Sequence, residues 1–194
     1  MCAKKSKNDD VDQFRPSREM ILAAKGKTVA DVIADNLRVL FCGINPGLYS
    51  GAVGHHFARP GNRFWPVLRG AGYTDTLLTP SQERQLLDAG YGITNLVARA
   101  TASASELSSQ ELVNGALALE DKIIKHTPAY LAILGIGAYR QAFRQPKATI
   151  GNQERYLAGT RIWVLPNPSG LNAHYQMDDL VQLFQELHLA IMGE

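Results

Sequence analysis

The sequence predicts an α/β protein, a three-layer α/β/α sandwich on a mainly parallel central sheet of about four strands. Three observations lead there. Short apolar runs at residues 39–42, 130–134 and 161–165 alternate with stretches of helical period. The runs are apolar at nearly every position, as expected of strands covered on both faces. Two of them end alike, in Gly43-Ile44-Asn45-Pro46-Gly47 and Pro166-Asn167-Pro168-Ser169-Gly170. Parallel strands deliver such turns to one edge of a sheet, which is where α/β proteins keep their ligands.

Taken in order, residues 1–28 are polar and mixed in charge, and we expect a flexible arm ahead of a single domain over 29–194. Residues 28–35 suggest a short helix leading into the first strand. Residues 64–71 and 80–87 read as helices closed by Gly72 and by Asp88-Ala89-Gly90. Residues 91–97 make a short strand or loop ending in polar residues. The strongest helix signal follows. Ser108 and Glu111 form a capping box, Leu112, Ala116, Leu119 and Ile123 make an apolar stripe, and Pro128 stops it. A further helix occupies 135–143, and a last one carries Leu180, Phe184, Leu187 and Ile191 on one face. No internal repeat is present.

At 194 residues, 45% of them hydrophobic, the chain supports one domain with a substantial core. Its two cysteines, Cys2 in a polar tail and Cys42 in an apolar run, cannot build a disulfide framework or a zinc finger. No apolar run approaches the roughly 18 residues of a membrane span, and no secretory leader is visible. The expectation is a reduced cytoplasmic protein, nucleoid-associated in a bacterial cell.

Net charge is only +2, but it is unevenly placed. From Asn36 to Thr74 there is no acidic residue, while Arg38, Arg59, Arg63 and Arg69 all fall there. Residues 122–153 hold five basic side chains and no acid. Folded together, these segments make a cationic face suited to nucleic acid. The alternative is that they are ordinary solvated loops.

Other chemistries are weaker. Gly135-Ile136-Gly137-Ala138-Tyr139-Arg140 follows a strand, but Arg140 replaces the third glycine of a dinucleotide fingerprint. His55-His56 has no metal-ligand spacing, and no serine or cysteine sits in a nucleophile elbow. The paired Asn-Pro-Gly turns remain, either as tight turns or as two rigid walls of a preorganised pocket.

The motifs together resemble the mismatch-specific uracil/thymine DNA glycosylase family, within the uracil-DNA glycosylase superfamily. They are Gly43-Ile44-Asn45-Pro46-Gly47, Gly54-His55-His56, Gly61-Asn62-Arg63-Phe64-Trp65, Gly92-Ile93-Thr94-Asn95-Leu96-Val97 and Asn167-Pro168-Ser169-Gly170-Leu171, in the family's order. The resemblance implies a monofunctional, metal-independent hydrolase that flips a base from a G·U or G·T mismatch and leaves an abasic site. An amide orients water but cannot take its proton, so slow turnover is expected. Uracil is the expected base, with thymine or ethenocytosine as further candidates. The resemblance also implies that Asn45 holds the attacking water; Asp88, the nearest carboxylate to residues 91–97, is read separately as an alternative base or as a solvated helix end. Ile44, Phe57, Asn95 and Asn167 would bind the base. Gly170, Leu171, Asn172, Ala173 and His174 would form the wedge that fills the vacated stack. Tyr49-Ser50 falls where the family gates the thymine methyl. Asn172-Ala173-His174-Tyr175 departs from members that carry arginine in the wedge, and Asn95 from those with lysine. Implied partners are mismatched double-stranded DNA and the enzymes that process abasic sites; a monomer without cofactor or metal is expected. Rival readings are a silent mismatch-binding module and a hydrolase of free nucleosides.

Overall fold

A computed structural model describes residues 15–193. Strands β1 (Val39–Gly43), β2 (Tyr91–Asn95), β3 (Tyr130–Leu134), β4 (Gly151–Leu157) and β5 (Thr160–Leu165) form one sheet in the order β2-β1-β3-β5-β4. The pairings β1–β2, β1–β3 and β3–β5 are parallel, while β4 runs antiparallel along β5. The sheet therefore has five strands, not about four. Gly-Asn-Gln-Glu-Arg-Tyr-Leu carries no apolar run because β4 is an edge strand, with an irregular register between Asn152 and Tyr156 and an exposed centre. A charged, irregular edge resists pairing with other chains.

Side chains of the inner strands alternate between two cores, as the period of a strand requires. Val39 and Phe41 of β1, with Tyr130, Ala132 and Leu134 of β3, enter the first core. Leu40, Cys42, Leu131, Ile133, Ile162 and Val164 enter the second. Helices α3 (Phe64–Gly70) and α6 (Met177–Met192), with the 3₁₀ segment Pro80–Ala89, cover the first face. Helices α4 (Ser109–His126) and α5 (Ile136–Ala142) cover the second. The stripe Leu112, Ala116, Leu119 and Ile123 of α4 is buried as its spacing predicts, and Ser108 and Glu111 cap it reciprocally. Burial on both sides pushes the Cys42 thiol up to about 12, so it stays protonated.

Two expectations near the N-terminus change. Residues 28–35 are not a helix: Thr28 bridges Arg99, and Val32 exchanges both backbone hydrogen bonds with Ile93, at 2.9 and 2.7 Å. β2 is the other sheet edge, and the β-branched Val32 closes part of it. Residues 1–14 of the expected arm lie outside the described residues. Beyond them, Ser17 caps α1 (Arg18–Leu22), and Ala24 is fully buried beside Gly51 of α2 (Leu48–Val53). The body of the fold thus includes residues within the stretch expected to be an arm.

Candidate active site

The carboxyl ends of β1 and β5 open onto one cavity of about 140 Å³. Its walls come from Gly43–Gly47, Ser50, the His56–Asn62 loop, Asn95, the Thr101–Ala104 loop, Asn167 and Ser169. Gly135, at φ +137°, lies between the two asparagine turns, its would-be Cβ 3.1 Å from Ile44 and 3.9 Å from Asn167.

Asn45 stands two residues past the end of β1, and its amide nitrogen is fixed by three acceptors. They are the Arg99 carbonyl at 3.0 Å, Thr101 Oγ1 at 2.7 Å and the Pro46 carbonyl at 3.1 Å. Because a carbonyl only accepts, the amide can face Arg99 one way round. Thr101 gives its own proton to the Ser103 carbonyl at 2.8 Å, so its oxygen receives from Asn45. Asn45 Oδ1 has no partner among the described residues and is the acceptor left for a ligand. The Arg99 segment is anchored by a two-pronged pair with Glu111, at 2.6 and 3.1 Å. The Arg99 guanidinium and the Ser108 amide and hydroxyl hold the Glu111 carboxyl down to about 2.

Opposite stands an aromatic wall. Phe57 adopts φ +52°, a left-handed conformation costly for a bulky side chain. Its neighbours hold it there. The His56 amide donates to buried Glu83 at 2.8 Å, and the Ala58 amide donates to Ser50 Oγ at 3.1 Å. The Phe57 ring stacks on Phe64, with centroids 4.1 Å apart and planes at 28°. His56 is only 2% exposed, and burial pulls its pKa below 6.5. Being neutral, it donates from Nε2 to the Ala30 carbonyl at 2.9 Å and accepts from Asn95 Nδ2 at 3.2 Å at Nδ1. That tautomer fixes which end of the Asn95 amide faces the histidine. Asn95 Oδ1 then lies against Gly43, where a Cβ would come within 2.5 Å.

The third wall is a loop of internal turns. Asn167 Oδ1 accepts from the Ser169 amide at 3.0 Å, and its carbonyl accepts from Asn172 Nδ2 at 3.0 Å. Gly170, Leu171, Ala173 and His174 project outward beside the cavity, and Leu171 is 74% exposed.

The structure thus brings Ile44, Asn45, Phe57, Asn95 and Asn167 to one cavity. Asp88 is elsewhere, exposed near the end of the 3₁₀ segment and outside the cavity walls. Ser50, rather than Tyr49, lines the cavity. The backbone carbonyl of Ile44 is taken by the Val97 amide at 2.9 Å. Sequence reasoning passed over Thr101, Arg99 and His56. The first two lie more than fifty residues from Asn45 and carry no local signal, whereas the His55-His56 pair was visible but lacked a metal spacing. The lining includes no carboxylate, and Arg59 is its one formal cation. Among the described residues no group of three or more His, Cys, Asp or Glu is placed to hold a metal.

Fold and site define an α/β sandwich with a small amide-and-aromatic pocket at the carboxyl edge of its sheet, flanked by a loop that exposes Leu171. Residues 30–188 match the uracil DNA glycosylase superfamily, and the chain belongs to it. Membership makes it a DNA glycosylase, a hydrolase of base excision repair that acts on DNA. A similar fold occurs in a protein of Methanosarcina acetivorans, solved by solution NMR and described as a "putative Uracil DNA glycosylase". The two share 17% identity at a TM-score of 0.54, over 84% of this chain and 98% of that one. No helix among the described residues is long and apolar enough to cross a membrane.

Proposed function

We propose that the protein excises uracil from G·U mismatches in double-stranded DNA as a monofunctional hydrolase, with thymine and ethenocytosine as further candidate bases. The observation that carries this reading is the Asn45 amide, its nitrogen held by Arg99, Thr101 and Pro46 and its oxygen unclaimed. An amide oxygen orients water by accepting a hydrogen bond but cannot take its proton. Such a residue suits a reaction in which the base departs first. The N1–C1′ bond breaks, its electron pair leaves with N1 of uracil, and the water oxygen bonds to the cation-like C1′. The excess proton passes to solvent.

Phe57 offers a ring face for stacking, and Asn95, oriented by His56, offers an amide to the edge of the base. In this reading the remaining Asn95 groups meet the N3–H and O4 of uracil. The weak G·U pair lowers the cost of flipping, and the 170–174 loop fills the gap. The absence of a lining carboxylate argues for slow turnover and for Asp88 having no part in water activation.

The test uses end-labelled duplexes carrying one G·U, G·T or A·U pair, protein in molar excess, and alkali to reveal abasic sites. Cleavage at G·U is expected, with Asn45→Ala slower by on the order of 100-fold or more and Asp88→Ala within about twofold of wild type. Mismatch binding without any alkali-labile site would leave a silent binding module as the better reading.

A further inference from the structure

We infer that Arg63 is the positioning residue that sets the shape of the 169–175 loop and thereby its entry into the DNA stack; the inference rests on the glycosylase reading above. Arg63 precedes α3, on the lip of the pocket opposite that loop. Its backbone amide donates to the Pro168 carbonyl at 3.0 Å. Its guanidinium donates to the Tyr175 carbonyl at 2.5 Å, to the Ser169 carbonyl at 2.7 Å and to the Asn172 carbonyl at 2.9 Å. One side chain thus gathers three carbonyls from seven consecutive residues. A planar fork of donors can do this, whereas an ammonium point charge cannot reproduce its directions.

Two more observations point the same way. The lips touch at Gly170, where a Cβ would come within 2.5 Å of the Gly61 carbonyl, so the loop has little room to shift towards the pocket. No carboxylate pairs with Arg63 among the described residues, and its Nε is buried without a partner. Its charge is spent on backbone carbonyls rather than on an ion pair. The loop's other hydrogen bonds are short-range, from Ser169 and Asn172 to Asn167, from Leu171 and Asn172 to Ser169, and from His174 to Asn172. They shape the loop locally and tie it to Asn167 on its own side of the pocket, but none of them reaches the opposite lip. Arg63 ties the loop to that opposite lip, and it holds Leu171 out as a preformed wedge. The ordering cost is then met in the free protein rather than on binding.

If Arg63 acts through the wedge, its loss and the loss of Leu171 must remove the same thing. The experiment is a double-mutant cycle with Arg63→Gln, Leu171→Ala and the pair, read by single-turnover excision from a G·U duplex and from a duplex with uracil in an unpaired bulge. A 2-aminopurine beside the uracil reports unstacking. We expect Arg63→Gln to slow G·U excision tenfold or more, to slow bulge excision at least fivefold less, and to cut the 2-aminopurine signal. The double variant should be no slower than the slower single. Arg63→Lys should behave like Arg63→Gln, and serves as the cycle partner if the glutamine variant does not fold. Multiplicative losses in the double variant, or equal losses on both substrates, overturn the inference while leaving the glycosylase reading intact. A wild-type protein inactive on every substrate sinks that reading, and the wedge with it.

Discussion

Gly43→Ala adds one methyl group at the floor of the pocket, and its consequences follow from distances. The new Cβ would lie 2.5 Å from Asn95 Oδ1 and 3.2 Å from Cζ of Phe57. An ordinary contact needs at least 3.4 Å, so the asparagine must retreat by about 1 Å. Its backbone cannot move alone, because Gly43 and Asn95 are register partners in adjoining strands. The side chain must rotate instead, which breaks its 3.2 Å bond to His56. Phe57 cannot give way easily either, with its ring stacked on Phe64 and its backbone already strained. Overpacking of this kind costs about 1–3 kcal/mol of stability. Losing the aligned amide at the base costs about 1–3 kcal/mol of transition-state binding, or roughly 5- to 150-fold in rate. Thermal unfolding and single-turnover excision from a G·U duplex measure the two separately. A rate within threefold of wild type would refute the reasoning, because it would mean that the Asn95 position does not matter to the base.

Two further perturbations test other parts of the site. Asn45→Asp replaces the amide with a carboxylate that has no proton for the carbonyls of Arg99 and Pro46, at 3.0 and 3.1 Å. At neutral pH the variant should be slower than wild type and less stable by about 1–3 kcal/mol; a faster enzyme would show that the site wants a general base. Stability should also fall on acidification, because burial lowers the His56 pKa. Between that lowered value and 6.5 the unfolded chain binds a proton that the folded chain does not. Full stability therefore holds above pH 6.5 and declines below it, by up to about 1.4 kcal/mol per pH unit. The Glu111 carboxyl, held at about 2, adds a loss that begins below pH 4.5. Denaturant midpoints measured from pH 8 to pH 3 check both, and a flat profile between pH 6.5 and 5 counts against a buried neutral His56.

The sequence alone determined the layers of this protein and the edge where its site lies. Apolar runs of two-sided strands, the Ser108–Glu111 box and the stripe of α4 are local signals, written in consecutive or helically spaced residues. The twin turns at Asn45 and Asn167 showed where two strands end, and parallel pairing carried both to one cavity. Strand β4 escaped notice because an edge strand needs no apolar run. Residues 28–35 escaped because bridging a sheet edge leaves no period to read.

Tertiary structure decided how the polar groups are aimed. Nothing near Asn45 in sequence says that Arg99 and Thr101 hold its nitrogen, nor does anything near Asn95 say that His56 sets its amide. It also decided that Asp88 stays outside the pocket and that Arg63 bonds to a loop more than a hundred residues away. Hydrophobic pattern is a property of neighbours along the chain, and a short sequence window contains it. Hydrogen-bond direction belongs to groups that meet only when the chain has folded, so it is absent from every such window.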